Sequence, residues 1–235
     1  MNEDSIGCQG LMQPTPARPL QGMTVLVVED SRFASEAIRL LCLHSGARVR
    51  RADSLAAAHR HLAVYRPGVV IVDMGLPDGS GADLIAELAG AQPRLPVLIG
   101  MSGDADAEAA AMRAGADGFL AKPIVSVALF QQAVLRHLPS GRGPRAVSAE
   151  RVVPDPVALA DDLEHIAALM RREDGGGLDY AAQFLGGVAR SANDPALEAV
   201  AEGLRAAPRG GAAGRSDVAR LAGIVEARLA AVRAV

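Results

Sequence analysis

Short apolar segments alternate with helical patterns between residues 23 and 139, and this alternation restricts the possible folds more than any other feature. β-branched and apolar runs bounded by turn residues predict strands at Thr24–Val28, Ala47–Arg51, Val69–Val72, Pro96–Gly100 and Asp117–Ala121. The first and third of these runs are apolar at consecutive positions, which is typical of parallel strands covered on both faces. The pattern therefore predicts an α/β domain with a doubly wound, five-stranded parallel sheet, (βα)5.

Helical patterns occupy the segments between these strands. Ser31 precedes the pattern at Arg32–His44, and a serine hydroxyl there can accept a hydrogen bond from a free N–H group of the first turn. Further helices are predicted at Leu55–Tyr65, Ala107–Ala114 and Val125–Leu138. Helices in these positions supply the crossovers that parallel strands need.

The rest of the chain divides into a leader, a linker and a second domain. Residues 1–22 contain several prolines and lack apolar periodicity, which predicts a flexible leader. Residues 140–154 follow Pro139 and begin with Ser140-Gly141-Arg142-Gly143-Pro144, which is typical of a linker. Apolar residues recur at helical spacing through 155–235, which predicts an all-α domain of four helices. Three of its helices are predicted to begin at capping residues, namely Asp155, Asp194 and Ser216.

Composition excludes several classes of protein. No stretch approaches the ~18 consecutive apolar residues of a membrane helix, and the two cysteines, Cys8 and Cys42, indicate neither a disulfide framework nor a cysteine metal site. We therefore expect a soluble, cytoplasmic protein without membrane contact. The net charge is −3, and residues 140–235 hold 12 arginines against 13 acidic residues. A nucleic-acid partner is therefore disfavoured, because it requires a basic surface.

Acidic side chains follow two of the predicted strands. Glu29 and Asp30 end the first strand, and Asp73 ends the third. Ligands of doubly wound sheets bind at the carboxyl ends of these strands, so we expect the three carboxylates to share one crevice. A hard divalent cation would offset their repulsion. Mg²⁺ fits best because it uses few carboxylates and can also bind phosphate oxygens.

Two further side chains are expected at the same edge of the sheet. Ser102 follows the fourth strand and Lys122 the fifth, and Lys122 is the only lysine among 24 basic residues. A hydroxyl and a compact ammonium can stabilise the oxygens of a transferring phosphoryl group. A carboxylate nucleophile such as Asp73 needs no general base. The pattern therefore indicates a phosphoryl site rather than a plain metal site.

At these residues the chain resembles the receiver domain of bacterial response regulators, over about residues 23–139. The acidic pair after the first strand, the Asp73 strand with its following loop, Gly100–Gly103 and Phe119–Pro123 carry the resemblance. It implies a flavodoxin-like (βα)5 fold, phosphorylation of Asp73, and Mg²⁺ bound by Glu29, Asp30, Asp73 and the carbonyl of Gly75. It also implies that Ser102 and Lys122 contact the phosphoryl group, that Ser102 and Phe119 form the switch, and that Lys122–Pro123 is cis.

The resemblance also implies partners. The phosphodonor would be a sensor histidine kinase or a histidine phosphotransfer protein, and the only catalysis would be self-catalysed phosphorylation and dephosphorylation. The helical domain, residues 155–235, would serve as an output with an unknown protein target or as a homodimerisation element. Since Val125–Leu138 leads into the linker, we expect the signal to leave by the face of the fourth and fifth helices.

Several alternatives stay open. The protein could be a DNA-binding transcriptional regulator, or a phosphate-sink receiver without an output. His165 in the helical domain raises the possibility of a phosphotransfer histidine, but the lysine and glycine that normally follow that histidine are missing. A surface histidine is the simpler interpretation. An aspartyl-phosphatase enzyme is rejected because Gly75 stands where its second aspartate would be.

Overall fold

The computed structural model of the chain describes residues 13–104, 106–138, 149–171, 177–208 and 211–234. Its N-terminal half contains a five-stranded parallel sheet. The strands in chain order are β1 (Thr24–Val28), β2 (Arg48–Ala52), β3 (Val69–Asp73), the two-residue strands β4 (Gly75–Leu76) and β5 (Gly79–Ser80), β6 (Val97–Ser102) and β7 (Gly118–Ala121). The large sheet has the order β2-β1-β3-β6-β7, and β4 pairs with β5 as a separate antiparallel hairpin.

This order confirms the predicted doubly wound fold. The chain passes from β1 outward to β2 and then to β3 on the other side of β1, so the order reverses between β1 and β3. All strand pairs of the large sheet are parallel. Their carboxyl ends therefore share one edge, where such folds bind their ligands.

Helices cover both faces of the sheet. They are α1 (Arg32–His44), α2 (Leu55–Val64), α3 (Gly81–Gly90), α4 (Ala107–Arg113) and α5 (Val127–Leu135). Val27 and Ile71 pack with Leu41 of α1 and Phe130 of α5, whereas Val28 and Val72 belong to the opposite core layer. Successive strand residues point to opposite faces, so both core layers demand apolar residues. This explains the uninterrupted apolar runs in the sequence.

The C-terminal half forms a bundle of four helices, as predicted. They are α6 (Pro156–Met170), α7 (Leu178–Ala192), α8 (Pro195–Ala206) and α9 (Gly211–Arg233). Asp155 caps α6 by accepting from the Val157 N–H at 2.8 Å, and Asp194 caps α8. Phe33 of α1 belongs to the core of the bundle, so the two halves of the protein pack against each other. Among the described residues, no helix has the length and apolar character needed to span a bilayer.

Three details differ from the sequence predictions. Ser216 does not begin a helix, because α9 has already started at Gly211. Helix α5 starts later than Val125 because the backbone on either side of Ser126 is hydrogen-bonded to the end of the predicted linker: the Val152 N–H donates to the Val125 carbonyl at 2.8 Å. The Gln92–Pro93 peptide is cis and was not predicted, whereas the predicted cis Lys122–Pro123 peptide is present.

Parts of the predicted leader and linker pack against the sheet domain. Leu20 is fully buried in the core, and its N–H donates to the Ser45 carbonyl at 2.9 Å. Val152 is 5% exposed and belongs to the same core. Residues 1–12 and 139–148 lie outside the described residues.

Candidate functional site

Three carboxylates meet at the carboxyl edge of the sheet. Glu29 and Asp30 follow β1 and Asp73 ends the adjacent strand β3. Oxygens from the three groups lie within 4.8 Å of one another. Glu29 and Asp73 are only 1% and 7% exposed, so little water screens their charges. The structure thus brings together the three acidic residues that the sequence places at strand ends.

Lys122 lies inside this acidic cluster, directly after β7. Its Nζ atom is 2.7 Å from Glu29 Oε2 and 2.7 Å from Asp73 Oδ1. Burial opposes the charged form, but the carboxylates of Asp73 and Glu29 outweigh it and raise the pKa of Lys122. The side chain therefore stays an ammonium in contact with Asp73.

The single ammonium does not balance three carboxylates. Burial, together with the charges of Asp73 and Asp30, raises the pKa of Glu29 although Lys122 acts in the opposite direction. Burial likewise raises the pKa of Asp30 to about 6. Closely spaced carboxylate oxygens whose negative charge is only partly balanced are the donor set of a hard divalent cation. Glu29, Asp30 and Asp73 therefore fit a magnesium ion.

Gly75 holds the second oxygen of the Asp73 carboxylate. Its N–H donates to Asp73 Oδ2 at 2.9 Å, whereas Oδ1 faces Lys122. Asp73 is thus oriented from both sides before any ligand arrives, which is the preorganisation that electrostatic catalysis needs. The role of the Gly75 carbonyl as a metal ligand stays a prediction.

Ser102 and Phe119 occupy the two strands beyond β3. Ser102 ends β6, lines the same cleft as Asp73 and Lys122, and accepts a hydrogen bond from the Asp104 N–H at 3.1 Å. Phe119 lies opposite Gly100 in the β6 and β7 register and is partly buried against the core. Because Gly100 has no side chain, the Phe119 ring can lie close to this strand. The switch roles of Ser102 and Phe119 stay predictions.

One face of α7 completes the cleft, and the sequence analysis did not identify it. The cleft has a volume of about 40 Å³ and includes four residues of α7, namely Gln183, Phe184, Gly187 and Arg190. Tyr180, one turn before Gln183, donates its hydroxyl hydrogen to Asp30 Oδ2 at 2.7 Å. The available signal was helical spacing: Tyr180, Gln183 and Arg190 fall on one side of α7.

Asp162 fixes the bundle to the start of α1. Its carboxylate accepts from the Ser31 hydroxyl at 2.8 Å, the Arg32 N–H at 2.8 Å and the Phe33 N–H at 3.0 Å. These are free groups at a helix N-terminus, where the partial positive charge also favours a carboxylate. The bundle therefore caps α1 from outside, immediately after the acidic pair.

His165 lies on α6 and does not line the Asp73 cleft. It is exposed, and its ring contacts the Phe184 ring edge to face with centroids 5.4 Å apart. This position agrees with a surface histidine that packs on a neighbouring aromatic ring.

The N-terminal half of the chain is similar to known proteins. Residues 25–134 match the family described as the response regulator receiver domain, and no family model matches the C-terminal helices. The probable transcriptional regulatory protein TcrX of Mycobacterium tuberculosis is 36% identical over 124 residues, covering 50% of this chain and 51% of the relative. The KDP operon transcriptional regulatory protein KdpE of Escherichia coli is 32% identical over 99 residues, covering 42% and 44%.

A putative response regulator from Chloroflexus aurantiacus is 30% identical, with a TM-score of 0.44, and covers 48% of this chain and 93% of that structure. The chain spans about half the length of the curated relatives it matches. Residues 25–134 of this chain are therefore a response regulator receiver domain.

Proposed function

We propose that the protein is a two-component response regulator whose Asp73 accepts a phosphoryl group from a histidine kinase or a histidine phosphotransfer protein. The observation that carries the proposal is the contact between Lys122 Nζ and Asp73 Oδ1, at 2.7 Å, inside a cluster of carboxylates that fits Mg²⁺. A carboxylate flanked by an ammonium and a metal site is arranged to attack phosphorus and to hold the resulting phosphoryl oxygens.

Each site residue predicted from the sequence has a role in this proposal. Asp73 is the nucleophile; Lys122 and the Ser102 hydroxyl hold two phosphoryl oxygens. Glu29, Asp30 and Asp73, with the carbonyl of Gly75, would hold Mg²⁺, which supplies positive charge for the phosphoryl oxygens. Phe119 would respond to the movement of Ser102 by a change in packing.

The domain division belongs to the same proposal. Residues 23–139 would act as the switch and 155–235 as a helical output that binds a protein target or a second copy, with 1–22 and 140–154 as leader and linker. The buried thiol of Cys42 is unpaired, which suits a reducing compartment such as the cytoplasm.

DNA binding is a second candidate function. The names of TcrX and KdpE describe transcriptional regulators, so they do not support the expectation that nucleic acid is an unlikely partner. The even balance of arginines and acids in residues 140–235 favours a protein partner instead. A receiver that only drains phosphoryl groups is the third possibility.

Intact-mass spectrometry tests the phosphoacceptor. Incubation with phosphoramidate and Mg²⁺ should add one phosphoryl group, and both Asp73→Asn and chelation of Mg²⁺ should abolish the addition. Labelling of Asp73→Asn at the wild-type rate, or labelling that ignores the chelator, would refute the proposed site.

A further inference from the structure

Helix α7 presents two functional groups to the phosphoacceptor cleft. Gln183 and Arg190 are seven residues apart, which places them two turns apart on one helix face. Both line the cleft that contains Asp73, Ser102 and Lys122. The family match ends before this helix begins, so the receiver domain does not account for either group.

The placement of α7 is fixed by contacts on both sides of the cleft. Asp162 on α6 binds the start of α1 through three hydrogen bonds. The Tyr180 hydroxyl on α7 donates a hydrogen bond to Asp30 Oδ2 at 2.7 Å. Phe33 of α1 is buried in the core of the bundle. The α7 face is therefore held over the site by a buried interface.

Gln183 occupies the space beside the phosphoacceptor loop. A Cβ atom on Gly75 would overlap Nε2 of Gln183, so the glutamine amide lies where a side chain of residue 75 would otherwise be. The Gly75 N–H itself binds Asp73 Oδ2. Gln183 is also exposed, so solvent reaches its amide. A carboxamide can accept a hydrogen bond from water and donate one to a phosphoryl oxygen at the same time.

Arg190 adds a second cation to the cleft. Its Nε atom is buried and has no hydrogen-bond partner, and it lies so close to Gly103 that a Cβ atom there would overlap it. Lys122 is already paired with Glu29 and Asp73. Phosphorylation of Asp73 adds about one net negative charge to the cleft at neutral pH, because the phosphoryl group carries about 1.5–2 negative charges and the charge of the free carboxylate is lost. A buried N–H donor without a partner is destabilising, and an incoming phosphoryl oxygen would supply the missing acceptor.

We propose that α7 accelerates hydrolysis of the protein's own phosphorylated Asp73, with Gln183 orienting the attacking water and Arg190 stabilising the phosphoryl oxygens. The inference rests on the proposed phosphorylation of Asp73. The water oxygen forms a bond to phosphorus while the bond from phosphorus to the Asp73 carboxylate oxygen breaks. The products are the free carboxylate, inorganic phosphate and one proton, which passes to phosphate or solvent. A glutamine that positions water beside an arginine that neutralises charge is the arrangement that accelerates phosphoryl hydrolysis in GTPases.

Shielding is the competing role for the same helix. A bundle over the cleft could instead exclude water and prolong the phosphorylated state. The two roles predict opposite effects of losing Gln183 on the rate of phosphoryl hydrolysis. Hydrolysis would become slower if α7 promotes it, and faster if α7 shields the phosphoryl group. Two features favour hydrolysis over shielding: the exposure of Gln183, and the large groove lined by Asp30, Tyr180 and Phe184 that opens to solvent beside the cleft.

The lifetime of the phosphoryl group tests the proposal. The full chain is labelled with phosphoramidate and Mg²⁺, the donor is removed, and loss of the label is followed by intact-mass spectrometry. Release of phosphate during turnover is measured in parallel. Gln183→Ala should lengthen the lifetime by about tenfold or more, since positioned groups of this kind contribute at least that factor. Arg190→Ala should also lengthen it, and Arg190→Lys should restore part of the rate because it keeps the charge but not the planar fork.

Control variants distinguish a role of Gln183 and Arg190 in hydrolysis from a general loss of folding. Gln132→Ala on α5 removes an exposed glutamine away from the cleft, and Arg220→Ala on α9 removes an exposed arginine that does not line it. Both should keep the wild-type lifetime, and thermal unfolding checks that all variants are folded. Equal lifetimes in wild type and Gln183→Ala, or a shorter lifetime in Gln183→Ala, would overturn the phosphatase role alone. Absence of both label and phosphate release from every variant would overturn the phosphorylation of Asp73 and this role together.

Discussion

The contact between Asp162 and the first turn of α1 is the clearest point at which to perturb the docking of the two halves. Asp162 is 2% exposed and accepts three hydrogen bonds from Ser31, Arg32 and Phe33. Asp162→Ala leaves the buried Phe33 N–H and the partly buried Arg32 N–H without acceptors. Each unsatisfied N–H costs about 1–3 kcal/mol.

The cost of burying the Asp162 carboxylate reduces the net loss of docking free energy in Asp162→Ala. Burial raises the pKa of Asp162, although the N–H groups of Phe33 and Arg32 oppose the shift, so the carboxylate is itself costly to bury. We therefore expect Asp162→Ala to weaken docking by about 2 kcal/mol, the lower part of the range for two lost hydrogen bonds. At 1.4 kcal/mol per factor of ten, this corresponds to about a thirtyfold larger population of undocked bundle.

Hydrogen exchange measures this change directly. The amides of Arg32, Phe33 and Ala34 should exchange faster in Asp162→Ala, whereas the strands should be unaffected. Asp161→Ala is the matched control: Asp161 is adjacent and forms a 2.7 Å ion pair with Arg32, but the Arg32 side chain is 62% exposed, so the cost should be about 0–1 kcal/mol. Equal exchange at α1 in wild type and Asp162→Ala, or equal effects of the two variants, would show that this contact does not hold the bundle.

Two further predictions concern charge placement. Lys122→Arg should slow phosphorylation of Asp73 markedly in the intact-mass assay, because a planar guanidinium cannot replace an ammonium that contacts two carboxylates at 2.7 Å; a wild-type rate would return Lys122 to a structural role. Asp78→Ala should lower the free energy of unfolding by about 1 kcal/mol, because Asp78 accepts from the first two N–H groups of α2, at 2.8 and 2.9 Å. Although burial opposes it, these bonds lower the pKa of Asp78. The contribution of Asp78 to the free energy of unfolding is therefore present above the unfolded pKa of about 3.9 and disappears as the pH falls below that value. If wild type and Asp78→Ala still differed in urea denaturation at pH 2, this prediction would be contradicted.

The fold and the acidic cleft could be predicted because each depends on local sequence. Apolar runs such as Val69–Val72 specify buried parallel strands, and the strand ends then determine where Glu29 and Asp73 lie. Lys122 is the single lysine of the chain, and it lies at the carboxyl edge of the sheet in contact with Asp73, as the strand order predicts. These inferences need only periodicity and one topological rule.

The position of the bundle could not be predicted in this way. Helical spacing showed that residues 155–235 have apolar faces, but it did not show which surface those faces cover. We expected contact through α4 and α5, whereas α6 and α7 contact α1 and the cleft. The decisive interactions are polar contacts from Asp162 and Tyr180 to residues more than 100 positions away. No periodicity encodes such contacts.

The observed docking changes the expected route of the signal. A phosphoryl group on Asp73 adds negative charge within the cleft that Gln183 and Arg190 line, so its first effect outside the receiver domain falls on α7. If Arg190 is drawn toward that charge, the bundle is held more tightly while the phosphoryl group lasts, and Gln183 at the same site limits how long it lasts. Under this proposal the helical half reads the switch and resets it through one helix face. The surface of α4, β7 and α5 remains available for a second contact, since Met112 and Leu129 are exposed there.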